Sequence, residues 1–93
     1  MKITGTIHPE FHNRASGEGT VLTLETVGDT VTTLQSVTAL ANGRYAFTDI
    51  PNGEYVVMPK KHGLIFHPAS RPVWVKDKDV SSLDFLVGVL RGS

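Results

Sequence analysis

Apolar and polar residues alternate along two neighbouring segments, each introduced by an Asn-Gly pair, at residues 42–43 and 52–53. An Asn-Gly pair supplies the positive φ angles of a tight turn, so each segment is predicted to begin as a strand. Because side chains alternate between the two faces of a strand, the apolar residues of both segments share one buried face. They are Tyr45, Phe47, Tyr55 and Val57. The pattern predicts two strands, at about residues 44–49 and 54–58.

The rest of the chain repeats this short alternation and has no sustained helical period. A first strand is predicted at residues 2–7, where Gly5 lets another backbone or a bulky side chain approach closely. A second stretch, residues 30–39, has the β-branched composition of a strand. Other inward positions are predicted at Leu22, Leu24, Val37, Ala39, Val73, Val75, Leu83, Phe85 and Val87, and the residues Leu64, Ile65 and Phe66 are expected to approach the core. About seven short strands are typical of an all-β, antiparallel β-sandwich.

One segment interrupts the alternation. Residues 8–19 have no apolar period and contain one proline and two glycines, so they are predicted to form a loop. Phe11 is the apolar residue expected to anchor this loop on the core.

Composition narrows the class of protein. Ninety-three residues with 40% apolar content support a single domain, residues 1–93, with one core and little volume for an enclosed cavity. Nine basic and nine acidic residues give no net charge, so we expect no nucleic-acid partner. No run of eighteen apolar residues is present, and we expect no membrane insertion. The absence of cysteine excludes disulfides and thiolate metal sites.

An ordered series of glycine, aromatic and proline positions covers nearly the whole chain. It consists of Ile3-x-Gly5-x-Ile7, Asn42-Gly43-x-Tyr45-x-Phe47-x-x-Ile50-Pro51-x-Gly53-x-Tyr55-x-Val57-x-Pro59, Gly63-x-x-Phe66-x-Pro68-Ala69-Ser70-x-x-Val73-x-Val75, and Phe85. The series resembles the carboxypeptidase regulatory-like domain and is close to the SdrD B-like and Cna B-type repeats of bacterial surface proteins.

This resemblance implies a seven-stranded, transthyretin-like (prealbumin-like) or Ig-like sandwich. It also implies one unit of a larger secreted or cell-surface protein, located at the cell surface or outside the cell. Such domains generally serve as spacers, folding partners or adhesion modules, and not as enzymes. The partners that it implies are neighbouring domains of the parent protein or another protein.

In Cna B-type domains, a lysine on the first strand forms an isopeptide bond with an Asn or Asp on the last strand, assisted by a buried glutamate. The position that corresponds to the glutamate is Pro59, which cannot carry protons between the reacting groups. Lys2 and Asp84 are the best remaining pair, and Lys2 lies at the end of its strand. We therefore expect no such crosslink.

Candidate chemical groups are few. The four histidines, His8, His12, His62 and His67, lack metal-ligand spacing and are interpreted as exposed loop residues. Asp77-Lys78-Asp79 has too few oxygen ligands for a calcium loop and is interpreted as a solvated turn. The chain has no Gly-x-Ser-x-Gly elbow. We expect no catalytic residue, no metal site and no cofactor.

Trp74 is the strongest candidate for a functional residue. If Val73 and Val75 point inward, the pleat directs Trp74 outward, and by the same parity Val56 and Met58 point outward on a nearby strand. These three residues would form an apolar patch for contact with another domain or protein. One alternative is that Trp74 packs across the sheet or under the 8–19 loop. Another is a carbohydrate-binding module in which Trp74 stacks on a sugar ring.

Overall fold

A computed structural model of the chain describes residues 1–9, 18–28 and 30–89. Phe11 and His12 lie outside the described residues. The described part contains no helix, and therefore none that is long and apolar enough to cross a membrane. Its eight strands are β1 (Ile3–Pro9), β2 (Val21–Thr26), β3 (Thr33–Thr38), β4 (Arg44–Phe47), β5 (Gly53–Lys60), β6 (Leu64–His67), β7 (Arg71–Val75) and β8 (Phe85–Val89).

The strands form two four-stranded sheets packed as a sandwich, with strand orders β4-β1-β8-β6 and β3-β2-β5-β7. The all-β sandwich is therefore confirmed. The structure has eight strands where about seven were expected, because Leu64–His67 forms a strand of its own that pairs with β8.

One pair departs from the antiparallel prediction. β8 runs parallel to β1, with Ile7 opposite Phe85. The chain leaves β7 in one sheet and enters the other beside the start of β1, where Val80 forms a parallel bridge with Ile3. Since the chain continues along β1 in the same direction, the β8 segment that follows is also parallel.

The core lies between the two sheets and contains the inward positions of every strand. Tyr45 and Phe47 pack edge to face, with ring centroids 5.8 Å apart and an interplanar angle of 74°. Ile65 is the exception to the prediction: it is exposed, because the alternation of β6 buries Phe66 and turns its neighbour to solvent. The buried apolar residues are Ile3, Ile7, Leu22, Leu24, Ala39, Tyr45, Phe47, Ile50, Tyr55, Val57, Phe66, Val73, Val75, Leu83, Phe85 and Val87, and Val37 packs partly buried against them.

The turn before β4 has the predicted chemistry. Gly43 adopts φ of 80°, and the Asn42 side chain accepts a hydrogen bond from the Arg44 amide at 3.0 Å. A Cβ at residue 43 would also collide with the carbonyl oxygen of Ile7. The following corner is held by Tyr55, whose hydroxyl donates to the Pro51 carbonyl at 2.7 Å, as in the tyrosine corner of Ig-like sandwiches.

Gly5 permits a close approach, as predicted for the first strand. A Cβ on this residue would collide with the carbonyl oxygen of Leu83 and would lie 2.7 Å from the hydroxyl of Tyr45. The segment before β8 therefore packs directly on the backbone of β1.

Candidate functional site

Trp74 lies on β7, one of the two edge strands of the second sheet, and 64% of its surface is exposed. Its neighbours Val73 and Val75 are buried, so the pleat directs the indole ring to the outer face as predicted. The Lys76 amine lies 5.3 Å from the centroid of the ring, within cation–π distance. The ring is therefore a largely solvent-exposed aromatic group with a cation beside it.

Val56 and Met58 lie on the same outer face, on the adjacent strand β5. β5 pairs with β7 so that Glu54 is opposite Trp74 and Val56 is opposite Pro72. Val56 and Met58 are half-buried. Pro72 is two positions before Trp74 and joins the same face, which extends the predicted patch. Its parity with Trp74 could have identified it in the sequence. We call these four residues, Trp74, Pro72, Val56 and Met58, the Trp74 surface.

Charged residues of both signs border the Trp74 surface. Glu54 faces Trp74 across the strand pair, and Glu25 of β2 is opposite Val56. Lys76 lies beside the indole, and Lys60 ends β5 on the outward parity. An apolar centre with a mixed polar rim is the usual composition of a protein–protein contact.

The outer face of the first sheet has a different character. A groove of about 790 Å³ has a mixed lining, with the polar residues Thr4, Thr6 and Arg44 beside the apolar residues Leu40 and Ala46. At its rim, His8 Nε2 lies 3.2 Å from an Asp84 carboxylate oxygen, and the other oxygen of Asp84 accepts the Thr6 amide at 2.8 Å. These contacts fix the start of β8 against β1, so the groove is bounded by rigid elements.

The residues considered for an isopeptide crosslink are Lys2, Asp84 and Pro59. The Asp84 carboxylate accepts the Thr6 amide and lies beside the His8 ring, and the Lys2 backbone amide donates to Asp79 at 2.8 Å. Among the described residues, the Asp84 carboxylate is therefore held by Thr6 and His8 of β1. Pro59, at the position of the family's glutamate, is part of β5 and buried.

The other candidate ligands are also separated. His62 lies in the turn after β5 as expected, whereas His8 and His67 lie on strands β1 and β6, so the loop prediction is wrong for these two. The residues that the structure describes contain no cluster of three metal-ligating side chains. Asp77 exchanges two hydrogen bonds with Asn52, each of 2.8 Å. Asp77 therefore ties the β7–β8 connection to the turn before β5.

Tyr45 has the one strongly shifted pKa among the described residues. Burial raises the pKa of its phenol well above the ordinary value, and the nearby Asp84 carboxylate adds to the shift, whereas Arg71 opposes it. The hydroxyl donates a hydrogen bond to the Leu83 carbonyl. A phenol that keeps its proton and is used as a donor inside the core has a structural role.

Comparisons with known proteins give a family and a fold. The family model that describes the second beta-sandwich domain of BOS complex subunit NOMO1-like proteins matches residues 1–87. The finer resemblance to the carboxypeptidase regulatory-like and SdrD B-like domains is not confirmed by this match. No curated protein matches the chain.

Two solved structures with a fold similar to that of this chain come from Acetivibrio cellulolyticus. A chain of the Coh3ScaB-XDoc_M1ScaA complex, an N-terminal interface mutant of a type II cohesin–X-dockerin complex, superposes with a TM-score of 0.62 at 21% identity, over 96% of this chain and 58% of that chain. A chain of the Coh3ScaB-XDoc_M2ScaA complex, the C-terminal interface mutant, gives 0.52 at 22% identity, over 91% and 56%. The present chain thus spans a little over half of each chain, and at this identity the likeness concerns the fold alone.

Proposed function

The chain belongs to this family of NOMO1-like second beta-sandwich domains, and on that premise we propose that it is a non-catalytic structural and interaction module. It acts as a single domain, residues 1–93, of a larger secreted or cell-surface protein. The observation that carries the proposal is the Trp74 surface, where the only tryptophan of the chain is 64% exposed on a flat sheet face. Large exposed aromatic groups on such faces mark contacts with other proteins or domains.

The partner is a neighbouring domain of the parent protein or a second protein. The mixed charges around the Trp74 surface favour a folded protein surface over a uniformly charged polymer. The two similar solved structures are both described as cohesin–X-dockerin complexes, which are assemblies of proteins. The matched family is likewise described as part of a complex subunit. The resemblance to surface-protein repeats supports an extracellular or cell-surface location.

A non-enzymatic role is supported by how the described polar groups are used. Tyr45, Asp77 and Asp84 all hold backbone or side-chain groups of neighbouring elements. Such groups brace the ends of the sandwich, and a nucleophile paired with a base is not among these contacts.

The decisive experiment compares the isolated chain with the parent protein. Acrylamide quenching of Trp74 is measured in both, with a Trp74→Phe parent as the blank that isolates the signal of this residue. We expect Trp74 to be several times less accessible in the parent or its native complex than in the isolated chain. Equal accessibility of Trp74 in the isolated chain, the parent and the native complex would contradict the proposal, because the surface would then have no partner.

A carbohydrate-binding module is the second candidate, and the exposed indole favours it because sugar rings stack on such faces. Isothermal titration with soluble polysaccharides tests it, with Trp74→Ala as the matched control. Heat that is lost in Trp74→Ala supports this function, and the absence of heat from the wild-type chain across a polysaccharide panel removes it.

A further inference from the structure

β3 is an edge strand without the features that usually protect an edge. It ends the order of the second sheet, and among the described residues no strand lies beyond it. Natural sheets protect their edges with charged side chains, proline or very short strands. β3 has six residues, Thr33–Thr38, without charge or proline, and the whole stretch of residues 30–43 is uncharged. The edge is therefore chemically open to pairing with another strand.

The other edge strands are protected. β7 contains Pro72 and Arg71, and β6 has only four residues and ends at His67. β4 is also four residues long and begins at Arg44. The end of β4 is covered by the side chain of Gln35. The Gln35 side-chain nitrogen donates to the Thr48 carbonyl at 3.0 Å, and the Gln35 side-chain oxygen accepts a hydrogen bond from the Thr48 amide at 3.1 Å. By this comparison β3 is the one described edge left open.

Part of the β3 backbone directs hydrogen-bonding groups away from β2, where no strand of the described residues pairs with them. Ala39 donates its amide to the Thr20 carbonyl at 2.8 Å, on the side of β2. Because bonding directions alternate along an antiparallel strand, the backbone groups of Ser36 and Thr38 point to the opposite, outer side. A bulge at Leu34 ends the regular ladder, since the pairing register with β2 shifts there. The open section is thus centred on Val37.

Space beside this section is free of the described residues. The groove of about 790 Å³ is lined by Val37 and Thr38 of β3 and by Arg44 and Ala46 of β4. Gln35 closes the flank of the sandwich on one side of this opening. The opening lies alongside residues 37–38, and among the described residues no strand pairs with this section of the edge.

We propose that a second copy of this chain pairs with this edge, β3 against β3 and antiparallel, about a twofold axis at Val37. This register sets Ser36 of each copy opposite Thr38 of the other, so that about four backbone hydrogen bonds join the copies. Pairing about a twofold axis places like residues near each other, which penalises a charged strand. The uncharged sequence of β3 avoids that penalty, whereas β4 and β7 would bring arginines together.

The test is the oligomeric state of the chain by analytical ultracentrifugation over about a hundredfold range of concentration. We expect a reversible monomer–dimer equilibrium. Ser36→Lys places two like charges beside the axis and is expected to weaken the dimer at least about tenfold, or about 1.4 kcal/mol. The matched control is Thr23→Lys, because Thr23 lies opposite Ser36 on the same face but in the interior strand β2, and it should leave the dimer unchanged.

Amide exchange measured by NMR on the wild-type chain keeps the proposal testable if Ser36→Lys does not fold. The Ser36 and Thr38 amides should become protected as the concentration rises. A chain that stays monomeric throughout overturns the proposal. So does equal weakening by Thr23→Lys, which would assign the contact to the sheet face. Protection at every concentration also overturns it, because a segment of the same chain would then cover the edge.

Discussion

The hydroxyl of Tyr45 donates a hydrogen bond to the carbonyl oxygen of Leu83, over the backbone of Gly5. It joins β4 to the segment that precedes β8, two elements that lie on opposite sides of β1. Only 4% of the surface of Tyr45 is exposed, so water cannot replace the bond. The contact thus adds a link between two elements that otherwise meet through β1.

Removing this hydroxyl is expected to destabilise the domain. Tyr45→Phe keeps the ring in the core but leaves the Leu83 carbonyl without its donor, which costs about 1–3 kcal/mol for a buried polar group. Urea denaturation monitored by circular dichroism measures the loss. Thr4→Ser, a small change on the outer face of the same sheet, is the control and should stay within about 0.5 kcal/mol of the wild type. A Tyr45→Phe chain as stable as the wild type would show that the bond contributes nothing.

Alkaline pH is expected to weaken the fold through the same residue. Burial raises the pKa of Tyr45 above its ordinary value of about 10, so above that pH the unfolded chain loses a proton that the folded chain keeps. Stability from this group is complete below the unfolded pKa and falls as pH rises, by up to about 1.4 kcal/mol per pH unit. The measurement is the free energy of unfolding at several pH values from 8 to 11. In Tyr45→Phe the decline should be shallower, and parallel curves would contradict the assignment.

Gly5 is expected to tolerate no side chain. A Cβ there would meet the carbonyl of Leu83, a backbone atom that cannot move without displacing the start of β8. Gly5→Ala should therefore cost about 3 kcal/mol or more, at the upper end of the range for overpacking. Gly28→Ala is the comparison, because no atom of the described residues beyond its chain neighbours lies within 4 Å of its Cβ position, which leaves the backbone strain at φ of 153°. Thermal denaturation followed by circular dichroism ranks the two, and an equal loss would refute the steric explanation.

Much of the sandwich could be predicted from the alternation of side chains. Tyr45, Phe47, Tyr55 and Val57 are buried as their parity requires, and Gly5 accepts a close neighbour. Parity says nothing about which strands pair, so the parallel contact between β1 and β8 could not be derived. The sequence wrongly predicts Ile65 near the core, because three consecutive apolar residues hide the alternation that the structure shows.

The candidate site was predictable in part. The outward direction of Trp74 follows from its buried neighbours, and so does its place beside Val56. The open edge of β3 was not predictable, because the sequence does not say which strand ends a sheet. Gln35 closing the end of β4 was equally hidden, since a side chain that bonds a backbone far along the chain leaves no local pattern.

Gln35 is expected to contribute through both of its hydrogen bonds with Thr48. Gln35→Glu keeps the acceptor for the Thr48 amide, but its carboxylate faces the Thr48 carbonyl without a proton to donate. Because the contact is exposed, we expect a loss of about 0.5–1.5 kcal/mol in Gln35→Glu at neutral pH. Urea denaturation at pH 7 and at about pH 3, where a carboxylic acid is protonated, measures it relative to the wild type. The deficit should shrink at the lower pH, and a deficit that grows there would contradict this account.

Trp74 is expected to contribute little to folding, which separates it from the aromatic residues of the core. Its ring is 64% exposed, so Trp74→Ala should change the free energy of unfolding by no more than about 0.5 kcal/mol. Phe47 is fully buried, and Phe47→Ala should cost about 3–5 kcal/mol because it leaves a cavity. Urea denaturation followed by circular dichroism compares the two, since Trp74→Ala removes the fluorescent group. A loss in Trp74→Ala as large as that in Phe47→Ala would show that the indole ring is packed against the domain itself. The Trp74 surface would then be a structural element and not a contact for a partner.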